Sequence, residues 1–142
     1  VAEVAAAQPP AADWTISDSR RTPPALSAEL QRRYGGRFQS WAACPPGWLA
    51  TQLAATEAVW VSEDSVSMVY ESLTAGCRVG LLQLPRTARP SRVMRGVEQL
   101  ITEQRVTAFA DWRASRQLAP ALPFNEATRV AALVLAWVEE GA

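Results

Sequence analysis

A pair of adjacent arginines lies in the polar segment SDSRRT at residues 17–22, between two hydroxyl side chains. Guanidinium groups donate paired hydrogen bonds to phosphate or carboxylate oxygens, so Arg20 and Arg21 could hold an anion together with Ser19 and Thr22. The same residues have a purely structural interpretation, in which Ser19 and Thr22 cap a helix and the arginines are solvated. The arginine pair alone favours the structural interpretation.

A second polar segment, SEDSVSM at residues 62–68, could bind a phosphate where a helix begins. Asp64 or Ser65 would be the N-cap and Ser67 would lie in the first turn, where N–H and O–H donors face an anion. Glu71 is four residues beyond Ser67 and therefore on the same helix face, where its carboxylate can accept hydrogen bonds from the vicinal hydroxyls of a ribose. Ordinary capping by Asp64, with a solvated Glu71, explains the same residues.

Residue types that are absent exclude several mechanisms. The chain has no histidine and no lysine, and all 14 of its cationic residues are arginine. A histidine base, a histidine-ligated metal, a Schiff-base lysine and a P-loop lysine are therefore excluded within this chain, and no GxGxxG follows a predicted strand. Any general base is a carboxylate or comes from outside the chain. We expect no bound metal, because no acidic pair is placed to hold one.

Charge and cysteine usage limit the partners and the cellular compartment that the sequence predicts. The 14 acidic residues balance the 14 arginines, which argues against a nucleic-acid partner. Cys44 and Cys77 lack CxxC spacing and predict reduced, buried thiols in a cytoplasmic protein. No apolar run is long enough to span a bilayer, so we expect no transmembrane segment, and residues 1–12 do not resemble a signal peptide.

Short runs of β-branched and aromatic residues recur along the chain at intervals of about 21 to 23 residues. The predicted strands are residues 14–17, 37–41, 58–62 and 79–84. This interval accommodates one strand, one helix and two short loops, so it predicts a parallel α/β sheet in a single domain over residues 1–142. Ligands of such sheets bind beyond the carboxyl ends of the strands, and we expect both polar segments to lie there in one pocket.

Helix-ending residues divide the intervening segments. We expect Thr22 to cap the first helix with Pro23 at its first position, and Gly35 to end it. Residues 48–56 form the second helix, and Gly76 ends the third.

The fourth predicted helix is capped by Ser91 and buries Val93, Met94, Val97, Leu100 and Ile101. Asn125 caps the final helix, at 124–140, which has one apolar side formed by Val130, Leu133, Val134, Trp137 and Val138. Residues 1–12 are a helix remnant and linker, and residues 107–121 could be a packed loop or a short helix.

Three strings of the sequence together resemble one family. The run at residues 62–79 (SEDSVSMVYESLTAGCRV) is similar to the VT-D-SVSM-SEA-TG-PV signature of the elongated-mitochondria (ELM-type) family of mitochondrial fission proteins. SRRTP at residues 19–23 and PFNEATRVA at residues 123–131 resemble two further strings of that family. Its bacterial relatives are often labelled predicted nucleoside-diphosphate-sugar epimerases. The family's NPY string is replaced here by CPPGW at residues 44–48.

This resemblance implies the C-terminal half of a GT-B-like protein, a Rossmann-like three-layer α/β/α domain with a mostly parallel sheet. In that architecture the C-terminal domain holds a nucleoside diphosphate sugar as substrate, without a further cofactor, and an N-terminal Rossmann-like domain outside this chain is its partner. The implied binding residues are Ser19, Arg20, Arg21, Thr22, Ser65, Ser67 and Glu71.

Three functions follow as hypotheses from the residues and the resemblance. The first is donor binding for a glycosyltransferase-like enzyme, in which this chain alone is inactive. The second is a nucleotide-sugar epimerase, whose acid and base groups would come from outside the chain. The third is a non-catalytic interaction module that keeps the fold. A receiver-like or flavodoxin-like domain is disfavoured, because only Asp18 lies near the end of the first predicted strand.

Overall fold

The computed structural model describes residues 1–84 and 92–140, with side chains described up to 84 and from 95 to 139. The chain divides into two compact units, Val1–Trp48 and Leu49–Ala142. A strand lies within or overlaps each of the four predicted strand segments, a fifth strand at Val106–Ala108 was not predicted, and every strand pair is parallel. The Rossmann-like α/β class is thereby confirmed, with the strands divided between two sheets.

The first unit contains a two-stranded parallel sheet. Its elements are α1 (Ala2–Ala6), β1 (Ile16–Ser17), α2 (Pro24–Tyr34) and β2 (Phe38–Gln39), with short 3-10 turns at Gly35–Arg37 and Trp41–Ala43. Ile16 lies opposite Phe38, and Ser17 lies opposite Gln39.

An arginine and two aromatic rings hold this unit together. The indole of Trp14 meets the ring of Tyr34 edge-on, with 5.8 Å between ring centroids. The guanidinium of Arg37 lies 4.6 Å from the centroid of the Trp14 ring and donates to the carbonyls of Ala12 and Trp14, each at 3.3 Å. Arg37 therefore ties the segment before β1 to the start of β2.

The beginning of α2 differs from the prediction, whereas its end agrees. The helix begins at Pro24 with Pro23 as its N-cap, so Thr22 does not cap it. Two successive prolines move the start by one residue, because Pro24 takes the first helical position that tolerates a missing N–H. Gly35 ends the helix with φ of +53°, a conformation that glycine adopts without a steric penalty.

The second unit contains a three-stranded parallel sheet in the order β3–β4–β5. Its elements are α3 (Trp48–Ala55), β3 (Ala58–Ser62), α4 (Val66–Thr74), β4 (Arg78–Leu82), α5 (Arg92–Thr102), β5 (Val106–Ala108), α6 (Phe109–Ser115) and α7 (Glu126–Glu140). Residues 107–121, which the sequence leaves open, thus contain the end of β5 and the short helix α6. The predicted cap Ser91 lies outside the described residues, as do the side chains of Val93 and Met94.

One face of this sheet forms the main hydrophobic core. It joins strand residues to α4 and α5, and the most buried members are Val61, Val69, Leu73, Val79, Leu81, Val97, Leu100 and Val106. This confirms the apolar face predicted for α5, as far as its side chains are described. Gly76, with φ of +82°, follows α4 as predicted.

Aromatic residues cover the other face. The ring centroid of Trp60 lies 5.0 Å from that of Trp112 and 6.1 Å from that of Phe109. A Cβ atom at Gly80 would lie 2.5 Å from the Trp60 ring, so only glycine fits beside it. With α4 and α5 on one face and α6 on the other, this unit has three layers.

The final helix α7 is capped as predicted but is not buried. The amide of Thr128 donates to Oδ1 of Asn125 at 3.0 Å. The apolar side chains of the helix are about half to three-quarters exposed, from 48% at Val130 to 76% at Trp137. Within residues 1–84 and 92–140, no helix is long and apolar enough to cross a membrane.

Candidate functional site

The turn that follows β1 is closed by its own hydroxyl groups. The amide of Ser19 donates to Oγ1 of Thr22 at 3.0 Å, and the amide of Thr22 donates to the carbonyl of Ser19 at 3.0 Å. The two hydroxyl oxygens lie 3.2 Å apart, and Oγ of Ser19 accepts from the amide of Arg21 at 3.3 Å. Arg20 and Arg21 are therefore displayed at the tip of a compact turn, with both side chains exposed.

Asp18, directly before this turn, links it to two other elements. Its Oδ1 accepts from the amide of Trp41 at 2.7 Å, and its Oδ2 accepts from the hydroxyl of Ser27 at 2.6 Å. The carboxylate thus joins the end of β1 to α2 and to the chain beyond β2. Sequence reasoning assigned Asp18 no role, although a carboxylate immediately after a strand was a usable signal.

The turn that follows β3 leads directly into α4. Ser65 is the N-cap, as one of the two predicted alternatives, and its side chain makes no capping hydrogen bond to the first turn. The Ser65 amide donates to the carbonyl of Ser62 at 2.9 Å, and the hydroxyl of Ser62 donates to Oγ of Ser65 at 3.3 Å. The first-turn amides of α4 therefore receive no side-chain cap from the N-cap residue, and the positive end of the helix dipole lies at this edge of the sheet.

The structure places Ser67 and Glu71 together on the outer face of α4. Both are exposed, whereas Val69, Ser72 and Leu73 on the inner face are buried. Four residues along a helix correspond to a rise of about 6 Å, roughly the separation between a diphosphate and the hydroxyls of the ribose attached to it. The spacing on which the sequence prediction rests is thus present in the fold.

Glu63, the first residue after β3, is a buried carboxylate that sequence reasoning passed over. Its side chain is 3% exposed. Its amide donates to the carbonyl of Leu82 at 3.1 Å, and its Oε1 accepts from the amide of Leu84 at 3.0 Å. Glu63 therefore fastens the end of β4 beside the turn that leads into α4.

Cysteine chemistry contributes nothing to either turn. Cys44 and Cys77 are both free thiols, of which Cys77 is fully buried. The Cys77 thiol lies 3.3 Å from the carbonyl oxygen of Thr56, and burial raises its pKa, so it stays protonated at neutral pH. The described residues also contain no group of three or more acidic, cysteine or histidine residues that could hold a metal ion.

These features define a class of protein: a parallel α/β protein that presents strand-to-helix turns, rich in hydroxyl and arginine side chains, at the carboxyl ends of its strands. A family model described as mitochondrial fission ELM1 matches residues 1–138. The chain therefore belongs to the mitochondrial fission ELM1 family. No curated protein and no solved structure matches it.

Proposed function

We propose that this chain binds the nucleoside diphosphate of a sugar donor, as the donor-binding part of a glycosyltransferase-like protein. The observation that carries the proposal is the start of α4, where the N-cap side chain makes no capping hydrogen bond and Ser67 and Glu71 share the exposed face. Helix starts of this kind bind phosphate through backbone N–H groups and the helix dipole. The strings at residues 19–23 and 62–79, whose resemblance to the ELM-type family implies the same assignment, lie within the residues that the family model matches.

Each polar side chain of α4 has a separate role in this proposal. The first-turn amides and the hydroxyls of Ser65 and Ser67 donate to diphosphate oxygens. The carboxylate of Glu71, one turn further along, accepts from the two ribose hydroxyls. This order along the helix follows the order of groups in a nucleoside diphosphate, which is why the proposal favours a nucleotide over inorganic phosphate.

The turn at Ser19–Thr22 is proposed as an anion-binding element in its own right. Its hydroxyls close the turn, so the groups it offers to a ligand are the guanidinium forks of Arg20 and Arg21. Guanidinium groups are always protonated and stabilise the charge that develops on a departing diphosphate. In sugar transfer this supports breakage of the bond between the sugar and the diphosphate.

Proton transfer in this mechanism is assigned to residues outside the chain. Because the chain has no histidine or lysine, we propose that an N-terminal Rossmann-like domain supplies the acceptor site and any general base. The two free thiols are consistent with the reducing cytoplasm, which we propose as the location of the protein.

Titration calorimetry with uridine and guanosine diphosphates tests this function. We expect weak binding to the wild-type chain, and a loss of about tenfold in affinity for Glu71→Ala or Arg21→Ala, because each removes a charge-assisted hydrogen bond. Glu103→Ala and Arg32→Ala are the matched controls, since both remove exposed charges away from the two turns. Absence of binding by either nucleotide at millimolar concentration would contradict the proposal.

A second candidate is a nucleotide-binding interaction module without turnover. It is favoured by the family description, which names mitochondrial fission, and by the missing histidine and lysine. Product analysis distinguishes the candidates: sugar transfer releases nucleoside diphosphate, epimerisation keeps the nucleotide–sugar bond, and an interaction module leaves the nucleotide sugar unchanged.

A further inference from the structure

A carboxylate with the same hydrogen-bonding role follows the strand at each candidate turn. Asp18 and Glu63, here called the post-strand carboxylates, are the first residues after β1 and β3. Each accepts a hydrogen bond from a backbone amide of the chain that continues beyond the neighbouring parallel strand. The two turns belong to different sheets, and in both the carboxylate directly follows a serine that ends the strand.

The two arrangements are equivalent residue by residue. In the first unit Ser17 pairs with Gln39, and Asp18 accepts from the amide of Trp41, two residues beyond Gln39. In the second unit Ser62 pairs with Leu82, and Glu63 accepts from the amide of Leu84, two residues beyond Leu82. The donor–acceptor distances are 2.7 and 3.0 Å.

The register explains what the carboxylates replace. In a continued parallel ladder, Glu63 would donate its N–H to Leu82 and accept from Leu84 through its own carbonyl. The first bond is present, at 3.1 Å, but the second is made by the side chain. The backbone carbonyl of Glu63 is thereby released, and the main chain can turn away from the sheet while β4 stays paired. The carbonyl of Asp18 is likewise released, and it accepts from the hydroxyl of Ser17 at 3.2 Å.

We propose that Asp18 and Glu63 are positioning residues for nucleotide binding, which hold the Ser19–Thr22 turn and the start of α4 at the carboxyl ends of their strands. The inference rests on the proposed function for its ligand. Without the side-chain acceptor, the chain after each carboxylate must either continue along the ladder or leave the facing amide, of Trp41 or Leu84, to solvent. The first outcome displaces the turn that follows the strand, and the second detaches that turn from the neighbouring strand.

The two carboxylates differ in burial and in the number of elements that they join. Glu63 is almost fully buried, so its truncation leaves a cavity beside the turn that leads into α4 as well as removing the acceptor of the Leu84 amide. Asp18 is half-buried, but it also accepts from Ser27 in α2. We therefore expect Glu63 to have the larger effect on nucleotide affinity and Asp18 the larger effect on the placement of a helix.

Matched substitutions separate the hydrogen bond from the charge. Glu63→Gln keeps an acceptor oxygen at the same reach, whereas Glu63→Ala removes it. We expect Glu63→Ala to weaken binding of uridine or guanosine diphosphate about tenfold, and Glu63→Gln to stay within about threefold of the wild type. Leu100→Ala is the stability control, because it removes a buried core side chain of α5 and should leave the affinity unchanged.

Amide hydrogen exchange tests the positioning without any nucleotide. The Leu84 amide should be protected in the wild type and in Glu63→Gln, and should exchange at least about tenfold faster in Glu63→Ala. The Trp41 amide should respond in the same way to Asp18→Ala. If the wild type binds no nucleotide but the amides behave as expected, the proposed function fails and the positioning role stands.

Three results would overturn the inference. One is a folded Glu63→Ala variant that binds nucleotide as tightly as the wild type. Another is a Glu63→Gln variant that binds as weakly as Glu63→Ala, since the charge rather than the acceptor would then matter. The third is a Leu84 amide that exchanges freely in the wild type. Should Glu63→Ala fail to fold, the Glu63→Gln affinity and the Asp18 pair decide the matter.

Discussion

Helices α4 and α7 differ in what holds them: α4 is packed in a core but lacks a cap from its N-cap side chain, and α7 is capped but exposed. The N-cap side chain of α4 makes no capping hydrogen bond, but the helix is anchored by Val69 and Leu73 in the core of the second unit. The reverse holds for α7, which has a side-chain cap from Asn125 and exposed apolar side chains. A helix that is held by packing can leave its first-turn amides to a ligand, whereas a helix without packing needs its cap.

The largest expected effect comes from the same substitution in the two helices. Leu73 is 4% exposed and Leu133 is 58% exposed. Leu73→Ala should lower the free energy of unfolding by about 2–5 kcal/mol, because it leaves a cavity in the core. Leu133→Ala should change it by less than about 0.5 kcal/mol. Urea denaturation of both variants measures the difference.

The same two variants can also contradict the view that α4 is held by packing and α7 is not. A loss at Leu133→Ala similar to that at Leu73→Ala would show that α7 is buried against another surface in solution. An unchanged stability for Leu73→Ala would contradict the core described for the second unit.

A smaller effect is expected when the caps are exchanged for alanine. Asn125→Ala should cost about 1 kcal/mol in the local stability of α7, because the amide of Thr128 loses its acceptor. Ser65→Ala should cost α4 less, since the Ser65 side chain does not cap the helix. Hydrogen exchange of the first-turn amides measures each change locally. Equal losses at the two positions would remove the distinction between a helix held by packing and one held by its cap.

The strands and helix ends were predictable because each depends on nearby residues. Short apolar runs place β3 and β4, and Gly35 and Gly76 end their helices through backbone conformations that favour glycine. The third strand of the second sheet was missed, since Val106–Ala108 is too short to show alternation. The start of α2 was misplaced because two prolines compete for one position.

The residue types of the candidate turns were predictable from the sequence, but the hydrogen bonds that hold the turns in place were not. Hydroxyl and arginine side chains after a strand can be recognised in a sequence, and Ser67 and Glu71 follow from helical spacing. The roles of Asp18 and Glu63 depend instead on the register between two strands about 20 residues apart, which periodicity does not specify. The exposure of α7 is beyond sequence patterning for a related reason: an apolar stripe indicates that a partner is needed, but not which surface provides it.

The smallest expected effect concerns the first turn of α7. The guanidinium of Arg129 forms a bidentate pair with Glu126, in which Nε donates to Oε1 at 2.9 Å and Nη2 donates to Oε2 at 2.7 Å. Hydrogen bonding from Arg129 lowers the pKa of Glu126, so the contribution of the pair to stability is present above the ordinary pKa of a glutamate. It is lost as the pH falls through the lowered value, and it is small because both side chains are at the surface.

An NMR titration of the Glu126 carboxyl measures this shift directly, and Arg129→Gln should return its pKa towards the ordinary value. Added salt should weaken the charge contribution without abolishing the hydrogen bonds. The shift requires Glu126 and Arg129 to lie one helical turn apart. An ordinary pKa in the wild type would therefore mean that the Glu126–Arg129 pair does not form in solution and contributes nothing to the stability of α7.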